Sequence, residues 1–255
     1  MAKKDIVKKK KNEVIREAQI DGISNNDTKL KIIATVLTLV VVAIGGLYWY
    51  FNDSKDNDKQ VNDIVKFEKE YEDYNGKETP YGGNYLEIDI DKESNIKYSS
   101  YDEIYSILED KTGVIYFGFP TCPWCRNLVP VLLDASKEAG IDTIYYLNNM
   151  EDRDTKELVD GEIVVKKNGT KNYYKLVEKL DSVLGEYEGL NDSSIKRLYY
   201  PTVVFVKDGK IVDSHIGTVD SQENPSVFLN DEQYKELKDT LVDKMLKLIV
   251  CDGAC

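Results

Sequence analysis

Two cysteines with two residues between them are the chemically most suggestive feature of this chain, in the run Cys122-Pro123-Trp124-Cys125. The run follows a short β-rich apolar segment and opens a segment with a helical pattern. Free N–H groups and the positive dipole end at a helix start favour a thiolate at Cys122, and a thiolate is the form that attacks disulfides. Pro123 fits the first helical turn, where its missing N–H costs no hydrogen bond. Cys125, one turn in, is placed to resolve a mixed disulfide.

A lone C-x-x-C also has two structural interpretations, half of a zinc site or an inert disulfide. Zinc would need two more ligands, and the candidates are Cys251 and Cys255, whose four-residue step differs from a C-x-x-C knuckle. Alternatively, this pair forms a terminal disulfide, or a second dithiol that exchanges electrons with the first. The single histidine, His215, excludes a multi-histidine metal site, so we expect no metal.

The elements that position the cysteines follow from apolar patterning. Ser100 and Glu103 form a capping-box pattern ahead of a helix, and Gly140 ends the helix that starts at the C-x-x-C. Asp208-Gly209 is a strong hairpin turn signal. The predicted strands are YLEIDI, NIKYSS, Gly113–Gly118, Ile141–Leu147, Thr202–Val206 and Lys210–His215, and an amphipathic helix covers Glu232–Val250. This order predicts an α/β fold.

Two separated motifs carry a resemblance to a known superfamily. The run GVIYFGFPTCPWCRNLVPVL resembles the thioredoxin superfamily, with Arg126 after the motif and Pro130 eight residues after the first cysteine. Downstream, YYPTVVFVKDGKIVDSHIG matches its second signature, a proline-threonine pair before a strand. More narrowly, YFGFPTCPWCRNLVPVL looks like the bacteriocin transport accessory proteins, whose name implies a role in peptide export. The resemblance covers about residues 94–250.

The resemblance implies a thioredoxin-like fold, a central mixed sheet flanked by helices. It also implies a thiol–disulfide oxidoreductase that needs no cofactor beyond its own Cys122–Cys125 disulfide. Pro201 is expected to be cis and to face the disulfide, leaving the Tyr200 backbone free to pair with a substrate strand. Trp124 is expected to cover one side of the site.

One position departs from the resemblance. Reducing thioredoxins carry a buried acid six residues before the first cysteine, and Tyr116 stands there in this sequence. A phenol with an ordinary pKa near 10 is no simple replacement for a carboxylate. The direction of electron flow therefore stays open.

A further segment, residues 148–198, separates the third strand from Pro201. We expect a helical insertion there, with helices around Lys156–Val165 and Tyr173–Glu188. It is either a surface subdomain or a cap that shapes the substrate site. Its tyrosines either line a groove or pack the helices.

The N-terminal fifth of the chain has a different character. Ile32 to Phe51 is uncharged for twenty residues, enough helix to cross about 30 Å of hydrocarbon, with aromatic residues at its far end. Residues 1–31 hold nine basic and five acidic side chains, although the whole chain has a net charge of −12. The positive-inside rule therefore predicts an uncleaved anchor with its N-terminus in the cytoplasm. A buried core helix and a cleaved signal peptide, with a shorter apolar region, are the alternatives.

We therefore predict four regions: a basic cytoplasmic segment (1–31), a transmembrane helix (32–51), a spacer (52–84) and a thioredoxin-like domain (85–255). The acidic net charge argues against nucleic-acid binding. The expected partners are protein or peptide thiols and disulfides, with a membrane or surface redox partner. The alternative function is a non-catalytic binding module for a secretion or cell-surface partner, in which the disulfide is structural.

Overall fold

The computed structural model describes residues 13, 16, 35, 37–45 and 61–249. The chain divides into two units, Met1–Asp58 and Lys59–Cys255. In the first unit, residues 35 and 37–45 are helical. No helix within the described residues is long and apolar enough to cross a membrane. Most of the predicted span at 32–51, the whole basic segment apart from residues 13 and 16, and Cys251 and Cys255 lie outside the described residues.

The second unit contains a five-stranded mixed sheet with the order β1-β3-β2-β8-β9. Strand β2 pairs with β3 in parallel and with β8 antiparallel. The strands and helices of this unit have the following bounds: α1 (residues 61–72), β1 (Ile96–Tyr98), α2 (Tyr101–Asp110), β2 (Gly113–Phe117), α3 (Pro123–Ala139), β3 (Ile144–Leu147), β4 (Thr155–Val159), β5 (Glu162–Lys167), α4 (Lys171–Lys179), β6 (Gly185–Glu186), β7 (Lys196–Arg197), β8 (Thr202–Lys207), β9 (Lys210–Ile216) and α5 (Asp231–Ile249).

The two central strands are buried on both faces, which explains their continuous apolar sequences. On β2, Val114 and Tyr116 join the core shared with α1, α3 and α5. Their neighbours Ile115 and Phe117 join the opposite core, which α2 and α4 cover. Strand β8 alternates between the same two cores. The domain is therefore a mixed α/β sandwich with helices on both faces of the sheet, as a thioredoxin-like fold requires.

Local sequence signals place the helix that follows β2. Pro123 occupies its first turn, and Gly140 closes it in the left-handed conformation, with a φ of 69°. The predicted capping box at Ser100 and Glu103 is formed at the start of α2. The β8–β9 hairpin turns at Asp208-Gly209 as predicted.

The predicted spacer at 52–84 is wrong for its second half, because residues 61–84 belong to the domain. Helix α1 buries Phe67 and Tyr71 completely in the core beneath the sheet. The polar beginning of the segment suggested a linker, but an amphipathic helix needs only one apolar stripe to join a core. The globular domain therefore begins before Tyr85.

The predicted strand YLEIDI does not join a sheet. Ile88 and Ile90 are buried, and side chains from the α1 region satisfy their backbone. Asn75 accepts from the Ile88 N–H at 3.1 Å, and Glu72 accepts from the Ile90 N–H at 2.9 Å. Alternating burial without a neighbouring strand explains why the pattern resembled a strand.

The helical insertion predicted at 148–198 is also wrong in part. Residues expected as a first helix form the β4–β5 hairpin, whose turn residues Asp160 and Gly161 have φ values of 52° and 84°. Two consecutive positive φ angles are the signature of a type I′ hairpin turn, and Asp-Gly is its preferred sequence. The second predicted helix is shorter than expected, ending at Lys179, and the two-stranded β6–β7 ribbon follows.

Candidate functional site

The two cysteines lie at the start of α3, and both are free thiols. Cys122 is the N-cap of the helix, and its Sγ accepts a hydrogen bond from the Cys125 N–H at 3.3 Å. Cys122 is 6% exposed, whereas Cys125 is completely buried. An incoming sulfur atom can therefore reach Cys122 but not Cys125.

The two thiols have opposite pKa shifts. A hydrogen bond from the Cys125 thiol is the largest influence on Cys122 and lowers its pKa; burial opposes this effect, and the N–H groups of Cys125 and Trp124 reinforce it. Burial is the largest influence on Cys125 and raises its pKa, and the hydrogen bond and charge of Cys122 raise it further. Cys122 is therefore deprotonated at a lower pH than Cys125.

The segment before β8 forms the wall opposite Cys122. The Tyr200–Pro201 peptide bond is cis, as predicted. As a thiol, Cys122 donates to the Tyr200 carbonyl oxygen, with Sγ and O 3.7 Å apart. The Tyr200 ring packs edge-on against Phe119, with ring centroids 5.3 Å apart. The cis-proline segment and the dithiol are therefore in direct contact.

An open groove runs beside the dithiol. It has a volume of about 320 Å³, and Trp124 and Tyr200 form one side of it. The segment that follows β9, Gly217 to Asp220, together with Gln222, forms the other side. Trp124 is half-buried and packs against the core. The groove is adjacent to Cys122 through Tyr200, whose carbonyl oxygen contacts the Cys122 Sγ.

Tyrosines occupy the space behind Cys125. Tyr116 and Tyr71 are completely buried, and their hydroxyl oxygens are 2.9 Å apart. Burial is the main cause that raises the pKa of each phenol well above its ordinary value, so both are neutral at physiological pH. The Tyr116 hydroxyl hydrogen-bonds to Cys125 and opposes the upward shift of the Cys125 pKa. Tyr116 thus acts here as a neutral donor to sulfur.

The glycine after β2 makes room for this phenol. A Cβ atom at Gly118 would lie 2.1 Å from the Tyr116 hydroxyl oxygen, closer than any side chain could tolerate. The chain therefore needs glycine at this position for the Tyr116 ring to fold back beside the dithiol.

Arg126, directly after the motif, is a completely buried arginine. Its guanidinium donates to backbone carbonyls of Leu86 at 2.6 and 2.8 Å, Tyr71 at 2.9 Å and Pro120 at 3.0 Å, and also to the side chain of Asn75. Burying an unpaired cation is costly unless hydrogen bonds satisfy all of its donors. Arg126 therefore joins the active-site helix to the α1 region, and it is not free to bind a substrate.

The structure brings most of the predicted site residues together. Cys122 contacts both Cys125 and the Tyr200 carbonyl, Trp124 and Tyr200 line the groove, and Pro201 supplies the cis bond after Tyr200. Pro123 faces a separate cavity of about 180 Å³, which Tyr81 and Tyr85 also line. The predicted second pair at 251 and 255 lies outside the described residues.

His215 lies on β9 and contacts the segment that follows it. Its Nε2 lies 2.9 Å from the Thr218 carbonyl oxygen. Burial is the main cause that lowers its pKa. Among the described residues, no cluster of three or more His, Cys, Asp and Glu side chains has the arrangement of a metal site.

Sequence reasoning missed two residues near the site, Tyr71 and Arg153. Tyr71 lies on α1, and only the apolar spacing Phe67–Tyr71 indicated a buried face. Arg153 lies just before β4, and its guanidinium carbon is 5.0 Å from the centroid of the Tyr200 ring. Nothing in its local sequence indicated that contact.

Comparisons with known proteins give two solved structures of thioredoxins. One is the thioredoxin Mala s 13 of Malassezia sympodialis, at 18% identity and a TM-score of 0.31, covering 60% of this chain and 92% of that chain. The other is oxidised thioredoxin O2 of Arabidopsis thaliana, also at 18% identity and a TM-score of 0.31, covering 58% of this chain and 96% of that chain. No protein-family model and no curated protein matches the chain. By its strand order, helical layers, helix-start dithiol and cis-proline, the second unit has a thioredoxin-like fold.

Proposed function

We propose that this protein is a thiol–disulfide oxidoreductase that acts on protein or peptide disulfides through Cys122 and Cys125. One observation carries the proposal: a partly accessible thiol with a lowered pKa lies at a helix start, with a completely buried thiol one turn behind it. The groove that Trp124 and Tyr200 line supplies the place for the substrate chain.

The proposed reaction balances without a bound cofactor. The Cys122 thiolate attacks one sulfur of a substrate disulfide, which forms a mixed disulfide and releases the other sulfur as a thiolate. Cys125 then loses its proton and attacks the Cys122 sulfur. This step closes the Cys122–Cys125 disulfide and releases the second substrate thiolate. Two electrons pass from the protein to the substrate, and the reverse sequence oxidises a substrate dithiol.

The proposal extends to location and partners on the strength of the sequence. The apolar run at 32–51 and the basic residues before it favour a single membrane anchor, with the domain outside the cytoplasm. A membrane or surface redox protein would then reset the dithiol after each turnover. The resemblance to bacteriocin transport accessory proteins favours exported peptides as substrates.

Substitution of the attacking cysteine tests the activity. We expect Cys122→Ser to abolish reduction of a fluorescent disulfide peptide, because serine supplies no thiolate. Cys125→Ser should instead accumulate the mixed disulfide, detectable by mass spectrometry. The matched control, Cys251→Ser with Cys255→Ser, should retain turnover.

The pH dependence of alkylation tests the same assignment independently. Because the pKa of Cys122 is lowered, its rate with iodoacetamide should level off at a lower pH than that of free cysteine, whose pKa is about 8.5. Cys125, buried and with a raised pKa, should not react in that range. A chain whose Cys122 alkylates no faster than free cysteine, and which reduces the peptide no faster than its Cys122→Ser variant, would instead be a non-catalytic binding module.

A further inference from the structure

Arg153 is a cation that the 148–198 segment brings against Tyr200, a residue that lines the groove. Its guanidinium carbon lies 5.0 Å from the centroid of the Tyr200 ring. The carbonyl oxygen of that same Tyr200 is 3.7 Å from the Cys122 Sγ. One tyrosine therefore connects the arginine to the attacking sulfur.

The surroundings of Tyr200 hold this arrangement in place. The Tyr200 hydroxyl donates to the Asn149 side-chain oxygen at 2.8 Å, and Asn149 is itself buried. The Arg153 N–H donates to the Met150 carbonyl oxygen at 3.3 Å, which fixes the backbone just before β4. The hydroxyl end of the Tyr200 ring is thus tied to the segment that carries the arginine.

The charge on Arg153 is not neutralised by its own neighbours. Asp152 accepts a hydrogen bond from the Tyr101 hydroxyl at 2.8 Å, and Asp154 pairs with Lys156 at 3.1 Å. Within the part of the chain that the structure describes, no carboxylate forms an ion pair with Arg153. The half-buried guanidinium thus retains its capacity to pair with an incoming anion.

The charge of Arg153 influences both Tyr200 and Cys122. Burial is the largest influence on the pKa of Tyr200 and raises it, and the Arg153 charge opposes that effect. The same charge contributes to the lowered pKa of Cys122, after the hydrogen bonds from Cys125 and Trp124. A negative group bound beside Cys122 would feel the same cation.

We propose that Arg153 is a specificity-determining residue, which favours substrates with a carboxylate side chain next to the reactive cysteine. The inference rests on the proposed oxidoreductase function and names its substrate class. A substrate sulfur must meet Cys122, so the adjacent substrate residues pass over Tyr200, where the guanidinium lies. An extended chain advances about 3.3 Å per residue, so a neighbouring glutamate can reach it.

Because the protein has a negative net charge, a preference for acidic peptides depends on this local cation. The chain carries −12 overall, which disfavours an acidic peptide at long range. At physiological ionic strength, charges more than about 8 Å apart are largely screened, whereas a direct contact in a partly desolvated groove is not. The Arg153 contact therefore decides the preference at the groove itself.

Three peptides that differ only beside their cysteine provide the test. Each carries the cysteine as a mixed disulfide with 2-thiopyridine, flanked by two Glu, two Gln or two Lys. The protein is the full-length reduced chain in an uncharged detergent, with Cys251→Ser and Cys255→Ser so that no other thiol reacts. Attack by Cys122 on the peptide sulfur releases 2-thiopyridine, whose absorbance gives the rate. Cys125 then releases the peptide thiol and closes the protein disulfide.

We expect the Glu peptide to react about fivefold faster than the Gln peptide, the order of effect of one partly exposed ion pair. The Lys peptide should be the slowest. Arg153→Gln should make the Glu and Gln rates equal, and Arg153→Glu should reverse the order. Because each variant also alters the Cys122 thiolate, the ratio of rates is the readout, since that effect cancels in it.

The matched control is Lys166→Gln, which removes one positive charge from the same segment. Lys166 is exposed on β5 and pairs with Glu157 at 3.3 Å. It should leave the ratio unchanged. A ratio that survives Arg153→Gln, or that Lys166→Gln lowers equally, would overturn the specificity proposal. If no peptide reacts faster with the wild type than with Cys122→Ser, it is the proposed function itself that fails.

Discussion

At the scale of single residues, the site depends on the different environments of two chemically identical thiols. Cys122 receives hydrogen bonds and keeps some exposure, whereas Cys125 is enclosed by the core. On the side away from Cys122, the Tyr116 phenol hydrogen-bonds to Cys125 and in turn meets the Tyr71 hydroxyl. The pKa directions of the two phenols fit a chain of donors from Tyr71 to Tyr116 to Cys125.

This donor chain predicts a defect in the resolving step. Tyr116→Phe removes the hydrogen bond that stabilises the Cys125 thiolate, so the pKa of Cys125 should rise further. A hydrogen bond to a charged group contributes about 1.5–3 kcal/mol, so resolution should slow at least about tenfold. Rapid quenching and mass spectrometry should show the mixed disulfide on Cys122 accumulating.

A matched pair of variants separates this effect from a packing defect. Tyr116→Phe leaves the buried Tyr71 hydroxyl without its partner, which by itself costs stability. Adding Tyr71→Phe removes that orphaned group and should restore stability but not the resolving rate. Resolution at the wild-type rate in Tyr116→Phe would exclude the phenol from the step.

At the scale of elements, helix α1 is the element that the sequence pattern wrongly assigned to a spacer. It buries Phe67 and Tyr71 against the sheet, and the region around its end supplies acceptors to Arg126. Arg126 follows Cys125 directly, so α1 supports the helix that carries the dithiol. An element with the sequence pattern of a linker therefore helps to position the dithiol.

This role predicts different fates for two shortened chains. A chain starting at residue 59 should fold like the full domain. A chain starting at Tyr85 loses two buried aromatic side chains, each with a cost of about 3–5 kcal/mol, and leaves the Arg126 charge with fewer acceptors. Since domains are stable by only about 5–15 kcal/mol, it should not fold cooperatively.

Urea unfolding followed by tryptophan fluorescence measures the difference. Of the two tryptophans in the chain, only Trp124 remains in either shortened form, so the signal comes from beside the dithiol. Equal unfolding midpoints for the two chains would contradict a structural role for α1. Phe67→Ala in the longer chain is the single-residue control and should show an intermediate midpoint.

At the scale of the whole molecule, charge and hydropathy are distributed unevenly along the chain. The basic head, the apolar run at 32–51 and the acidic remainder together favour an anchored protein with its redox domain across the membrane. This arrangement would place the dithiol in an oxidising compartment, where thiol–disulfide enzymes act on exported proteins.

The topology has a direct test in intact cells. A membrane-impermeant maleimide should label Cys122 after mild reduction without lysis, and the protein should remain full-length in the membrane fraction. A cytoplasmic thiol protein in the same cells is the control and should stay unlabelled. Labelling only after lysis would contradict the predicted orientation, and a shortened mature chain would indicate a cleaved signal peptide.

Local sequence was sufficient wherever the determining interactions are local. The C-x-x-C at a helix start, Pro123 in the first turn and the Ser100–Glu103 capping box depend on neighbours within one helical turn. The continuous apolar sequence of β2 indicates a strand that is buried on both faces. The positions of Cys122 and Cys125 at the start of α3 were therefore set by short-range interactions.

The tertiary structure decided what depends on distant partners. Whether α1 covers a core or links two regions depends on an apolar stripe finding the sheet. The β4–β5 hairpin is an exception, because its Asp160-Gly161 turn is a local signal that the helical prediction did not use. Tyr71 reaches Tyr116, and Arg153 reaches Tyr200, across 45 and 47 residues of chain respectively. Periodicity records which face of an element is apolar, but not which element will meet it, because that contact forms only when the chain packs.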